Sequence, residues 1–212
     1  MRIFQRAETA TFFGREIGLM YTHAHLRYAE ALWQYGDAEG FFDALCKAVP
    51  AAFMARVANA GSRQSNCYFS SSDAAFKDRY EAFENYEKAL KGDMVLEGGW
   101  RVYSSGAGIA SGLILRALFG IQATNRGLRV DPMLPKRLND LSIGLDLYDR
   151  KFEIAYECGA RGFGPVAVIL NGEALPMERG SNPYRTAGVF VAMAAIRKAM
   201  SAGLNRLIIR LE

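Results

Sequence analysis

In the first half of the chain, apolar residues recur at the 3.6-residue spacing of a helix. One such segment runs from Leu19 to Gln34. Gly36-Asp37 predicts its end and the cap of a second helix, DAEGFFDALCKAV, which Pro50 is expected to stop. The clearest helical segment runs from Gly106 to Ile121. Its apolar side consists of Ile109, Leu113, Leu115, Leu118 and Phe119.

The pattern between these segments is weaker. Residues 51 to 71 are mixed in character and rich in serine, which predicts a long ordered loop. SSDAAFKDRYEAFENYEKALKG is compatible with a helix but carries many aromatic residues. A few helices with long loops make a poor independent core. The helical part is therefore expected to belong to a larger helical domain.

After about residue 126 the pattern changes to short runs of β-branched and aromatic residues separated by turn signals. Asn171-Gly172 is the strongest hairpin signal, because this pair tolerates the positive φ of a type I′ turn. Turns are also expected at Asp149-Arg150 and Asn182-Pro183, and a short helix, AAIRKAMSAG, before the last strand. We predict separate α and β parts: helices over residues 1–125 and a small antiparallel sheet module over residues 126–212.

Composition is that of an ordinary globular protein: 212 residues, 50% apolar, 23% charged, with a net charge of +4. Lysine and arginine are scattered, so nucleic-acid binding is not expected. No stretch approaches the roughly 18 apolar residues of a membrane span, and the N-terminus lacks the apolar core of a signal peptide. The three cysteines are far apart and predict neither a metal site nor a disulfide framework, which favours a reducing, cytoplasmic setting.

The stretch YSSGAG places hydroxyls and glycines where the clearest helix begins. Exposed backbone N–H groups and the positive end of the helix dipole suit an anion such as phosphate, and Arg101 lies just upstream. The alternative is an ordinary N-cap by Ser104 or Ser105, with Gly106 and Gly108 allowing close packing. A P-loop is excluded, because no Gly-Lys-Ser/Thr follows.

His23 and His25 are two residues apart, so on a helix they point in different directions. This spacing argues against a metal pair, which prefers positions i and i+4. One histidine in a site and one in packing is the more natural interpretation, and two structural histidines are the alternative. A histidine beside phosphate serves as a charge-assisted donor.

The segment RQSNCYFSSSDAAF mixes hydroxyls, amides and aromatic rings, which suits either a carbohydrate site or a polar surface loop. Its Cys67 has no evident base beside it, so a packed thiol is favoured over a nucleophile. Asp73, Asp78 and Glu97 are isolated carboxylates, and the sequence assigns none of them as an acid or base.

Three segments, MYTHAHLRYAEALWQYGDAE, RQSNCYFSSSDAAFKDRY and LEGGWRVYSSGAGI, together resemble the C-terminal part of the inverting glycoside phosphorylases. This family contains cellobiose, chitobiose and 1,2-β-oligoglucan phosphorylases. The likeness is greatest to the phosphorylase-like module of cyclic β-1,2-glucan synthase. It extends from about Phe4 to Glu212 and includes GARGFGPVAVILNGEALPMERGSNPYRTAGV.

The resemblance implies an (α/α)6 barrel followed by a C-terminal β-sandwich. Inorganic phosphate, the co-substrate, attacks the anomeric carbon with inversion while an aspartic acid protonates the leaving sugar oxygen. By the same resemblance, His23 and the pair Ser105-Gly106 match the family's phosphate-binding residues. The partners implied are a β-glucan oligosaccharide and phosphate, and the parent synthase would be attached to the inner membrane.

The sequence also departs from the family. The family's acid and its phosphate-binding arginine match no segment of this chain, so no catalytic residue is assigned. SNCY stands where several members have Glu-Pro-Tyr, which puts the sugar subsite in doubt. We therefore expect a fragment, the last barrel helices plus the sandwich, that acts on β-1,2-glucan only when the missing N-terminal part completes it. The alternative is a stand-alone carbohydrate-binding or interaction module without catalysis.

Overall fold

The computed structural model of the chain describes residues 22–61, 73–74, 76, 79–97 and 104–212. The chain divides into two compact units. The first contains Met1–Ala29 and Asp43–Ser111, and the second contains Glu30–Phe42 and Gly112–Glu212.

The first two predicted helices are confirmed as α1 (Thr22–Tyr35) and α2 (Ala38–Ala48). Along α1 the buried residues Leu26, Ala29 and Trp33 follow the helical repeat. The junction forms as Gly36-Asp37 predicted: Asp37 precedes α2, and its Oδ1 accepts a hydrogen bond of 2.8 Å from the backbone N–H of Gly40.

The prediction of a loop over residues 51 to 71 is wrong for the start of this range, because the helix α3 spans Pro50–Arg56. Proline fits the first turn of a helix, where its missing N–H would have no partner. The aromatic-rich segment contains the helix α4 (Arg79–Lys91), which is distorted at Asn85. The short strands β1 (Ala60–Gly61), β2 (Asp73–Ala74) and β3 (Leu96–Glu97) form a small sheet in the order β1-β3-β2.

The clearest predicted helix forms as α5 (Ser104–Leu113), which continues into a π-helical segment over Ile114–Leu118. In that segment the N–H of Phe119 donates to the carbonyl of Ile114 at 2.9 Å. The predicted end at Ile121 is wrong. Gly120, with φ of +64°, turns the chain, and Ile121 begins a strand.

A four-stranded antiparallel sheet has the order β10-β11-β5-β4. Its strands are β4 (Ile121–Thr124), β5 (Gly127–Val130), β10 (Glu178–Arg179) and β11 (Val189–Ala192). The hairpin of β4 and β5 crosses residue 125, and the division of the chain at that residue stays a prediction.

A five-stranded sheet has the order β6-β7-β12-β8-β9. Its strands are β6 (Ser142–Leu147), β7 (Arg150–Glu157), β8 (Pro165–Leu170), β9 (Glu173–Ala174) and β12 (Asn205–Leu211). The expectation of a purely antiparallel module is wrong for this sheet, because β12 pairs in parallel with β7 and antiparallel with β8. Between β11 and β12 the chain forms the helix α6 (Met193–Ala199), which confirms the predicted short helix before the last strand.

Two tight turns join neighbouring strands of this sheet. Asn171 and Gly172 have φ of +52° and +86°, and they confirm the predicted hairpin of β8 and β9. The β6–β7 turn lies at Tyr148-Asp149, one residue earlier than predicted, because Arg150 already pairs with Leu147. Every second residue of β7 and β12 is buried, which supplies core from Phe152, Ile154, Tyr156, Leu207, Ile209 and Leu211.

Helices together with antiparallel and mixed sheets confirm a mixed α and β protein. In the part of the chain that the structure describes, no helix has both the length and the apolar character needed to cross a bilayer.

Candidate functional site

The first turns of α1 and α5 lie close together. The buried Thr22 begins α1, and its Cγ2 lies 3.6 Å from the position that a Cβ on Gly106 would occupy. His23 follows Thr22, and Ser105 precedes Gly106. Two of the segments singled out in the sequence, about 80 residues apart, therefore meet at two helix starts.

Few described groups lie beside Gly106. Apart from its chain neighbours and the backbone of α5, Thr22 is the one described residue with an atom within 4 Å of the Cβ position on Gly106. Neither α1 nor α5 has an acidic residue in its first turn. Helix starts offer backbone N–H donors and partial positive charge.

The two histidines of α1 have different surroundings. Nε2 of His25 donates a hydrogen bond of 2.7 Å to the backbone carbonyl of Ala44, and its ring lies 6.1 Å from that of Tyr28. His25 is therefore a packing residue that joins α1 to α2. His23 is half-buried. The side chain of Ser105 lies outside the described residues.

Several sequence candidates lie outside the described residues: Arg101, Cys67, Asp78, and the side chains of Asp73 and Glu97. The two described thiols, Cys46 and Cys158, are free. Burial raises the pKa of the Cys158 thiol, and the negative charge of Asp140 adds to this effect. Cys158 therefore stays protonated and is a poor nucleophile.

Residues 120–208 match the family model described as the glycoside phosphorylase C-terminal domain. A curated relative, a 1,2-beta-oligoglucan phosphorylase from Listeria innocua serovar 6a (strain ATCC BAA-680 / CLIP 11262), is 42% identical over 188 residues. This chain carries a C-terminal phosphorylase-like module. The alignment covers 89% of this chain and 17% of the relative, so the chain spans about a sixth of the relative's length. The predicted resemblance to the C-terminal part of the glycoside phosphorylases is confirmed, and the greater likeness to a cyclic β-1,2-glucan synthase stays a prediction.

Arg185 of the phosphorylase-like module forms a buried network that the sequence did not predict. Its guanidinium donates to both carboxylate oxygens of Asp131, at 2.8 and 3.1 Å. Its Nε donates to the backbone carbonyl of Trp33 at 2.8 Å. The guanidinium carbon also lies 5.6 Å from the centre of the Trp33 ring and 5.7 Å from that of Phe163.

No local spacing in the module points to this network, because Asp131 and Arg185 are 54 residues apart. The sequence around an arginine does not show whether its side chain is buried or exposed. The usable signal was the turn at Asn182-Pro183, where Oδ1 of Asn182 accepts a hydrogen bond from the backbone N–H of Tyr184. Arg185 follows this turn directly in the chain, after Tyr184.

Proposed function

We propose that this chain is the C-terminal part of an inverting glycoside phosphorylase that acts on β-1,2-glucan, by phosphorolysis or by chain-length control within a cyclic β-1,2-glucan synthase. The 42% identity to a 1,2-beta-oligoglucan phosphorylase supports the substrate class. The proposal includes an (α/α)6 barrel that the helices help to form, a C-terminal β-sandwich and a cytoplasmic location.

The phosphate site in this proposal consists of His23, Ser105 and Gly106. The contact between Thr22 and Gly106 is the observation that carries it, because it joins the helix starts that bear these residues. His23 would donate a charge-assisted hydrogen bond, and backbone N–H groups near Gly106 would bind phosphate oxygens. A phosphate oxygen then forms a bond to the anomeric carbon as the glycosidic bond breaks.

The leaving sugar oxygen must take a proton as the glycosidic bond breaks. None of the 212 residues is assigned as that donor. We infer that the 212 residues alone release no sugar 1-phosphate from β-1,2-glucan in phosphate buffer. Phosphate-dependent release of glucose 1-phosphate by the purified chain would contradict this part of the proposal.

Phosphate binding tests the site directly. A Cβ on Gly106 meets Thr22 at an ordinary contact distance, so Gly106→Ala leaves the fold intact while it places a methyl group in the space for phosphate. Gly112→Ala is the matched control in the same helix, where the added Cβ lies 3.7 Å from Nε of Arg116. Phosphate titration of the full chain, followed by ³¹P NMR, should show weaker binding for Gly106→Ala and no change for Gly112→Ala.

The side chains of the site give a second comparison. His23→Gln should weaken phosphate binding by about tenfold, since the hydrogen bond from the imidazole to the charged phosphate is lost. Ser105→Ala should also weaken it, and Ser111→Ala, at an exposed position of α5, should not. Equal phosphate affinity in all these variants would remove the phosphate site from the proposal.

A further inference from the structure

A cavity of about 310 Å³ lies in the second unit, beside the Arg185–Asp131 pair. Its size is at the lower end of ligand pockets, which span about 300 to 1,000 Å³. We call it the Trp33 cavity. The lining residues that bear on its chemistry are Gln34, Arg116, Gln122, Arg129, Asp131 and Ser181, and Trp33 also lies in the wall.

The polar groups of the Trp33 cavity favour a neutral ligand with many hydroxyls. The amides of Gln34 and Gln122 and the hydroxyl of Ser181 each donate and accept hydrogen bonds. Two of the three charged lining residues are compensated, since Arg116 pairs with Glu30 at 2.6 Å and Asp131 is held by Arg185. The third, Arg129, has no acidic partner within 4 Å among the described residues. A site for a strong anion would instead offer several uncompensated cations.

Two exposed tyrosines stand next to the cavity residues in the chain. Tyr35 follows Gln34, and Tyr184 lies two residues after Asn182. Each tyrosine is 68% exposed, yet their ring centres are only 6.3 Å apart at an interplanar angle of 44°. Exposed aromatic rings held together offer an apolar surface with polar hydroxyls, which is typical of binding sites.

The Trp33 cavity and the tyrosine pair are held in place by hydrogen bonds. Nδ2 of Asn182 donates to the backbone carbonyl of Gln34 at 3.0 Å, and Oδ1 of the same side chain accepts from Tyr184. Arg185, the next residue of the loop after Tyr184, donates a hydrogen bond to the backbone carbonyl of Trp33. A site ordered before binding loses less conformational entropy when a ligand arrives.

We propose that the Trp33 cavity and the Tyr35–Tyr184 pair form a saccharide-binding site, with one sugar ring in the cavity and the next ring against the tyrosines. The sugar hydroxyls exchange hydrogen bonds with Gln34, Gln122 and Ser181. That the saccharide is a β-1,2-linked glucan rests on the proposed function.

Calorimetric titration of the full chain with a short β-1,2-linked gluco-oligosaccharide, in phosphate-free buffer, tests the site. Tyr35→Ala and Tyr184→Ala should each raise Kd by about fivefold. Ser181→Trp, which places an indole at the exposed edge of the cavity, should weaken binding further. Tyr28→Ala removes another exposed tyrosine of α1 and should leave Kd unchanged. Thermal unfolding of each variant verifies that it is folded.

Four outcomes are informative. Binding that the tyrosine and Ser181 variants weaken, and that His23→Gln does not, supports the saccharide site. The same variant pattern with a cello-oligosaccharide supports the site and removes the β-1,2 linkage that comes from the proposed function. Binding that only His23→Gln weakens overturns the saccharide site and leaves the proposed function standing. The absence of oligosaccharide binding in a chain that still binds phosphate also overturns it.

Discussion

Arg185 and Asp131 form a two-point ion pair inside the phosphorylase-like module, with N–O distances of 2.8 and 3.1 Å. The Arg185 side chain is 1% exposed and that of Asp131 is 17% exposed. A guanidinium this deeply buried depends on its carboxylate, because removal of the partner leaves a buried charge without compensation. The loss of stability on breaking the pair is therefore expected to exceed the net stability that the intact pair contributes.

Asp131→Asn should lower the free energy of unfolding by about 3–5 kcal/mol. The matched control is Asp146→Asn, which removes the carboxylate of the exposed pair Lys151–Asp146, where the side chains are 75% and 64% exposed. That variant should change stability by less than about 1 kcal/mol. Urea unfolding of both variants measures the difference. Equal losses of unfolding free energy in the two variants would show that the burial of Arg185 does not determine the effect of removing its carboxylate partner.

Tyr156 makes stability depend on alkaline pH. Its hydroxyl donates to the carbonyl of Phe119 at 2.7 Å, and burial raises its pKa well above the usual 10.0. Above pH 10 the unfolded chain loses a proton that the folded chain keeps. The free energy of unfolding should therefore fall as pH rises, by about 1.4 kcal/mol per pH unit for this group.

The substitution Tyr156→Phe isolates this contribution. At pH 8 it should cost about 1–3 kcal/mol, because the hydrogen bond to Phe119 is lost. At pH 11 the gap to wild type should narrow, since only the wild-type chain has the tyrosine to ionise on unfolding. Denaturant melts at the two pH values measure the gap, and a gap that widens at pH 11 would show that the pKa of Tyr156 is not raised in the folded chain.

Gly120 and Gly172 both have positive φ, but their surroundings differ. A Cβ on Gly120 would lie 1.9 Å from the backbone nitrogen of Pro132, whereas no atom lies within 4 Å of one on Gly172 among the described residues. Gly172→Ala should cost about 1–2 kcal/mol from backbone strain alone. Gly120→Ala should cost about 1–3 kcal/mol more, because the backbone must move. Thermal unfolding of the two alanine variants compares them, and equal costs would mean that the chain at Pro132 yields freely.

The sequence by itself determined the features that depend on near neighbours. Helical spacing predicted α1 and α2, the Asn171-Gly172 pair predicted a hairpin, and Asp37 predicted a cap. Each is set by contacts within a few residues, so composition and spacing contain the information. The same local motifs carried the family resemblance, and they identified His23, Ser105 and Gly106 as the phosphate site, which remains a proposal.

Only the tertiary structure decided the pairings between distant segments. The parallel place of β12 beside β7 and the Arg185–Asp131 pair each depend on residues far away in the chain. The Trp33 cavity likewise combines α1 with the β4–β5 hairpin and the loop before Arg185. Burial and long-range pairing determine these features, and a single sequence records which residues are present but not which distant ones meet.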